Sequence, residues 1–214
     1  MTDWRATHHA WLSRRGLLDR PWLILGAAPG PTLPPGLLGR CARVDVNNAG
    51  RTARELGLGR ADLTFRSKKK SWEEHPHLDT RALVWVHTLP AWAARIALLR
   101  HPHDHVGSLR TLTRRDRERL VLDESGVDVA DVGELGKVTN GVAALCYGLA
   151  LGVREIVLSG VSLTATGHSY DQRNRPRRQV DEDTVMLRAL AARPEVATSE
   201  RDLAESAGLR LVTE

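Results

Sequence analysis

Two kinds of apolar patterning alternate along the chain. Short runs with few interruptions, bounded by Gly, Pro or polar clusters, predict strands at Trp22–Gly26 (WLILG), Arg43–Asn47 (RVDVN), Asp62–Arg66 (DLTFR), Ala82–His87 (ALVWVH) and Glu155–Ser159. Between them lie stretches of helical period. Val142, Leu145, Cys146 and Leu149 recur at i, i+3, i+4 and i+7, which predicts a helix over Thr139–Leu151 with one face in the core. Further helices are expected at Arg51–Leu58, Ala91–Arg100 and Val180–Ala192, the last opened by Asp181, Glu182 and Asp183, whose charges suit a helix N-terminus. Ser199 and Asp202 have capping-box spacing ahead of a short helix, and a last strand is expected at Leu209–Thr213. Residues 101–136 are charged and aperiodic. They read as an insertion or lid with a helix around Arg114–Leu122.

Strands that alternate with helices predict an α/β domain, a three-layer Rossmann-like sheet that is mostly parallel. At 214 residues one domain spanning 1–214 is expected. Ligands of such sheets sit beyond the carboxyl ends of the strands, so the residues just after each strand carry the chemistry. After the first comes Gly26-Ala27-Ala28-Pro29-Gly30, small enough for a ligand to approach the backbone, with neither the GxGxxG nor the GxxxxGK spacing. After the second come Asn47 and Asn48, amides suited to a base or ribose and equally to a turn. Thr139, Asn140 and Gly141 open a helix, where side chains cap and backbone N–H groups can hold a phosphate. Ser159, Gly160, Val161 and Ser162 leave the fifth strand for a loop holding His168 and Tyr170. Four strand ends thus carry small or amide residues, and their convergence points to a binding site.

Charge changes the picture modestly. Lys plus Arg number 31 against 26 Asp plus Glu, a net charge of +5 that suits an anionic partner such as a phosphorylated small molecule, lipid headgroups or nucleic acid. The six Trp show no stacking pattern and no nucleic-acid motif occurs, so nucleic acid is not expected. The run Arg66-Ser-Lys-Lys-Lys70 reads as a solvated loop. Cys41 and Cys146 read as small buried residues, and with no apolar run long enough for a membrane span and no secretory leader evident, the expected location is the cytoplasm. His101, His103 and His105 could present three imidazoles to a metal, but Pro102 and the polar surroundings favour an exposed loop, and no metal site is assigned. His87, at a strand end, is either a buried hydrogen-bonded residue or part of the pocket.

The stretch KVTNGVAALCYGLALGVREIVLSGVSLTATGHSY, residues 137–170, resembles the core of the small bacterial sialyltransferases that use CMP-sialic acid and of the related motility-accessory-factor type of nonulosonate transferase. The shared pattern runs from a basic residue, a β-branched residue, Thr, Asn and Gly through an apolar helix, ALG, an apolar strand and SG to a Tyr. Upstream, LILGAAPGPTLP resembles that family's first glycine loop and VDVNN its second-strand asparagine. The resemblance implies a metal-independent transfer of a sialic-acid-type sugar from a CMP-sugar, itself a substrate with no further cofactor, to a hydroxyl on a glycan or lipid-linked acceptor. Peripheral membrane contact and homo-oligomerisation stay open. It implies a nucleotide pocket of Gly26, Ala27, Ala28, Asn47, Asn48, Thr139, Asn140, Gly141, Ser159, Gly160, Val161 and Ser162, with Tyr170 facing the leaving phosphate. Ala27 stands where the family usually has Asn, Ser162 where it often has an acid, Thr164 at the first of two tyrosines, and Arg178 at the general-base histidine, aligned on Asp183. His168 is the substitute candidate for the base. Two other readings remain: a nucleotide-sugar-binding protein without catalysis, and a pterin diphosphokinase-like enzyme, for whose metal Asp45 and Asp171 are the acidic candidates.

Overall fold

The structure, a computed structural model, describes residues 3–67, 78–100, 105–169 and 177–213. In chain order these form α1 (Trp4–Ser13), β1 (Trp22–Leu25), α2 (Pro35–Arg40), β2 (Ala42–Val46), α3 (Ala49–Glu55), β3 (Ala61–Ser67), β4 (Asp79–Val86), α4 (Ala91–Leu98), β5 (His105–Leu112), α5 (Arg114–Ser125), α6 (Asn140–Ala150), β6 (Ile156–Ser159), α7 (Val180–Leu190), β7 (Val196–Thr198), α8 (Arg201–Ala207) and β8 (Arg210–Leu211). The strands make one sheet in the order β5-β4-β3-β2-β1-β6-β7-β8. Every pairing is parallel.

The unbroken apolar runs follow from burial on both faces. Trp22 and Ile24 of β1 join one core with Val44, Phe65, Leu158 and the helices α1, α5, α6 and α7. Leu23 packs on the other side with Leu37, Cys41, Val157 and Ala197, and Leu25 with Ala49 and Ala53 of α3. Successive residues of one strand thus feed opposite layers, as the pleat requires. Helix α6 is buried along its whole middle, Gly141 to Leu149, and lies against the sheet centre. Cys41 and Cys146 are buried free thiols, and burial pushes Cys146 up to about 12.

Four features differ from the sequence reading. Residues 4–13, unassigned from sequence, form α1, which inserts His8, Trp11 and Leu12; His8 Nδ1 lies 2.9 Å from the Tyr147 hydroxyl. The charged segment read as an insertion or lid supplies β5, an edge strand of the main sheet, ahead of the helix expected around Arg114–Leu122, which is α5, started by the Thr113 hydroxyl accepting from the Asp116 N–H. Ser199 does not cap α8: its hydroxyl donates to the Thr32 carbonyl at 2.7 Å, and the N-cap residue is Glu200. Arg66 is no solvated loop residue, since it lies within β3 fully buried and donates to the Asn48 side chain at 2.9 Å. No helix among the described residues is long and apolar enough to cross a membrane.

Candidate functional site

From β1 the chain moves outward through β2 to β5, then returns to place β6 on the other side of β1. This change of direction beside β1 is the switch point of the sheet, and the candidate crevice lies there, at the carboxyl edge. Gly26 and Gly160 make the crossing there. The Ala28 N–H donates to the Gly160 carbonyl at 2.7 Å, and a Cβ on Gly26 would overlap that carbonyl and the Val161 side chain. Gly160 also has φ of 60°, the left-handed region. Beneath both loops the Glu200 carboxylate accepts from the N–H of Gly160 (2.7 Å) and from the N–H and hydroxyl of Thr32 (2.8 Å each). The β6 loop then folds back, the Ser169 N–H donating to the Ala27 carbonyl at 2.9 Å.

Above these loops lies a cavity of about 540 Å³. One wall is the start of α6, where the N-cap Thr139 hydroxyl accepts the Val142 N–H at 3.5 Å and the two amides before it have no acceptor within the helix. Two buried charged groups fix that start. Arg117 of α5 donates to the carbonyls of Val138 (2.7 Å) and Thr139 (3.1 Å) and to Asn140 Oδ1 (3.2 Å). Asp183 of α7 accepts the Thr139 N–H at 2.7 Å, and Glu182 accepts the Leu135 N–H at 2.8 Å. The acidic first turn of α7 thus anchors the 135–139 segment through its two buried members. Burial pushes the Asp183 carboxyl up to about 7 against the pull of Thr139 and Arg117, and burial lowers Arg117 from its usual value.

Arg117 also sets the direction of a side-chain relay. A guanidinium only donates, so Asn140 must offer it oxygen; Asn140 Nδ2 then donates to Asn47 Oδ1 at 2.8 Å, which also accepts the Ser67 N–H at 3.2 Å. Asn47 is held at φ 53°, the sole positive value among the described non-glycine residues. Its amide can therefore offer a ligand only N–H donors. Among the described residues, Arg114, Arg117, Lys137, Arg177 and Arg178 line the cavity, with Asp183 as the carboxylate beside them. The lining suits an anionic ligand.

Of the residues expected at the site, Gly26, Ala27, Asn47, Thr139, Asn140, Gly141, Gly160, Val161, Ser162, His168 and Arg178 line this cavity, as does His87. Ala28, Asn48, Ser159 and Thr164 are not part of its lining. Ala28 is buried under the loop crossing, and the Asn48 amide accepts from Arg66. The Ser159 hydroxyl donates to the Thr32 carbonyl at 2.8 Å, and the Thr164 hydroxyl to Asp202 at 3.0 Å. Arg178 pairs with Glu134 in solvent, and His87 Nδ1 accepts the Leu89 N–H at 2.9 Å. Tyr170 and Asp171 lie outside the described residues, as do His101, His103 and the lysines at 68–70. Asp45 is inside the sheet, paired with Arg43 at 2.9 Å, and does not reach the cavity. Among the described residues no three His, Cys, Asp or Glu side chains cluster as a metal site. Sequence reasoning missed the roles of Arg117 and Glu200. Neither is near the loops in sequence, and most of their hydrogen bonds go to backbone atoms of other segments, which leave no trace in the residue pattern.

The fold is that of the sialyltransferase CstII. The Campylobacter jejuni enzyme in complex with the substrate analogue CMP-3FNeuAc superposes with a TM-score of 0.54 at 14% identity, over 90% of this chain and 86% of that one. A CMP complex of CstII gives 0.54 at 15% identity over 89% and 86%, and a complex with CMP and a trisaccharide acceptor gives 0.50 at 15% over 90% and 86%. No family profile matches the chain, and no curated protein matches it in sequence.

Proposed function

We propose that the cleft binds a CMP-sugar and transfers its sialic-acid-type sugar to a hydroxyl acceptor without a divalent metal. One observation carries this reading: a cavity at the sheet's switch point joins the first turn of α6 and the glycine loops to a lining in which, among the described residues, basic side chains outnumber acidic ones. A CMP-linked nonulosonate brings two anions, phosphate and sugar carboxylate, and this lining balances both. In the reaction the acceptor oxygen bonds to the anomeric carbon, the bond from that carbon to the phosphate oxygen breaks, and CMP leaves with the electron pair. The acceptor's proton goes to a base. Lys137 and the α6 amides serve the developing phosphate charge, with Tyr170 as a further donor. His168 is assigned the proton because Arg178, at the position of the family's histidine, is a cation engaged by Glu134. The Asn47 N–H donors meet a ligand acceptor such as a pyrimidine carbonyl.

Titration calorimetry with CMP, UMP, AMP and GMP tests the pocket. CMP is expected to bind most tightly, and Asn47→Ala and Asn140→Ala each to lose about 1.5–3 kcal/mol if their hydrogen bonds are charge-assisted, less if neutral. Unchanged CMP affinity in both folded variants sinks the placement. His168→Ala is expected to abolish transfer while CMP still binds, and activity that EDTA removes and magnesium restores would refute the metal-free mechanism. The second reading, a binding protein without catalysis, is favoured by Arg178 and would show as CMP binding with no donor turnover. The diphosphokinase reading is weakened by the enclosure of Asp45.

A further inference from the structure

We propose that α4 docks the protein reversibly on an anionic bilayer surface. The helix is apolar on two opposite sides. Ala94 packs inward with Leu83, Trp85 and Leu109 of β4 and β5. Outward, Trp92, Ile96 and Leu99 are 70, 59 and 77% exposed, at spacings of four and three that put them on one face, with Leu89 exposed just ahead. An ordinary surface helix turns a polar face to water. Elsewhere among the described residues the exposed large apolar side chains Leu56, Leu122 and Val185 stand singly, so the patch is local to this element.

Charge selects the occupant. Arg95 and Arg100 are exposed on the same helix and the turn that ends it, and the chain has no acidic residue between Asp79 and Asp104. Trp with aliphatic side chains among arginines is the composition that rests in the headgroup boundary of an anionic membrane. A second copy fits less well. A symmetric contact would bring like-charged arginines together, and a two-turn helix supplies far less than the roughly 800 Å² per partner of a stable interface. Along the chain α4 begins three residues after Thr88, which lines the cavity with His87.

The test is co-sedimentation of the full chain with vesicles of phosphatidylcholine alone and of equal parts phosphatidylcholine and phosphatidylglycerol. Binding is expected only to the anionic vesicles and is expected to weaken with salt. A variant with Trp92→Ser, Ile96→Ser and Leu99→Ser, and separately one with Arg95→Glu and Arg100→Glu, should each lower partitioning by at least roughly tenfold with the melting temperature kept. Absence of binding to anionic vesicles, or equal binding by the folded variants, overturns the proposal. So does a concentration-dependent dimer abolished by the triple serine variant, which would make the face a self-interface. The proposal is independent of the nucleotide reading: neither variant touches the cavity, and CMP titration in parallel separates the two failures.

Discussion

At the residue scale, the start of α6 is held by two buried groups of opposite charge that reach it from different helices. Arg117 takes the carbonyls of Val138 and Thr139, and Asp183 takes the Thr139 amide. Neither ion can be removed cheaply, because each leaves buried backbone groups without partners. Arg117→Met is expected to cost about 3 kcal/mol in chemical denaturation and to weaken CMP binding beyond Asn140→Ala, since it frees the Asn140 amide to rotate. A variant that binds CMP as well as wild type would show that the relay does not orient Asn47. Asp183→Asn has a different signature. The native carboxyl ionises at about 7 inside the cavity, so above that pH it adds a negative charge near any bound anion. CMP affinity of the wild type should fall relative to the variant as pH rises through 7, and parallel calorimetric profiles would refute this.

At the scale of elements, the switch point depends on two glycines approaching within backbone contact. A Cβ on Gly160 would stand 2.8 Å from the Gly26 carbonyl oxygen, at a φ that L side chains rarely adopt, and Gly26 has no room for one. Gly26→Ala should therefore destabilise the fold by about 1–3 kcal/mol or more, measured by denaturant midpoint, whereas Gly30→Ala, with nothing near its Cβ position, should show only the cost of its own φ. The sequence reading explained Gly26 by ligand access; the strand crossing is the stronger constraint. Elements buried on both faces were legible because burial leaves an unbroken apolar run, as in WLILG and IVLS. Strand β5 was not legible. It is an edge strand, buried only at Leu109 and Leu112, so its residues show little apolar period. Strand β7 is three residues long, too short to show one. Of the site, Asn47, Asn140 and the two glycine loops stood out at strand and helix ends, whereas Arg117 looked like one arginine among many in RRDRER.

At the scale of the whole molecule, two buried titrating groups, one against the body of α6 and one at its N-cap, bias stability in opposite directions with pH. Burial lowers His8 to about 4 from 6.5, with Arg110 adding to the shift while the Thr111 backbone and Asp116 oppose it. Its contribution is present above pH 6.5 and is lost as pH falls toward 4, because the unfolded chain takes up a proton that the folded chain refuses. Asp183, faced by Thr139, Arg117 and Glu182, is raised from 3.8 to about 7. Its contribution is present below pH 3.8 and is lost as pH rises through 7, since the folded chain then holds a proton the unfolded chain has released. Between about pH 4 and 6.5 the two slopes have opposite sign, so this pair damps the pH dependence of wild-type stability there. Removing one member exposes the other. Asp183→Asn should gain stability as pH rises from 4 to 6.5, and His8→Gln should lose it over the same interval, read as denaturant midpoints at a series of pH values. If both variants keep the wild-type slope, the two groups titrate alike in the folded and unfolded chain, and the start of α6 is held by a carboxylate that is ionised throughout.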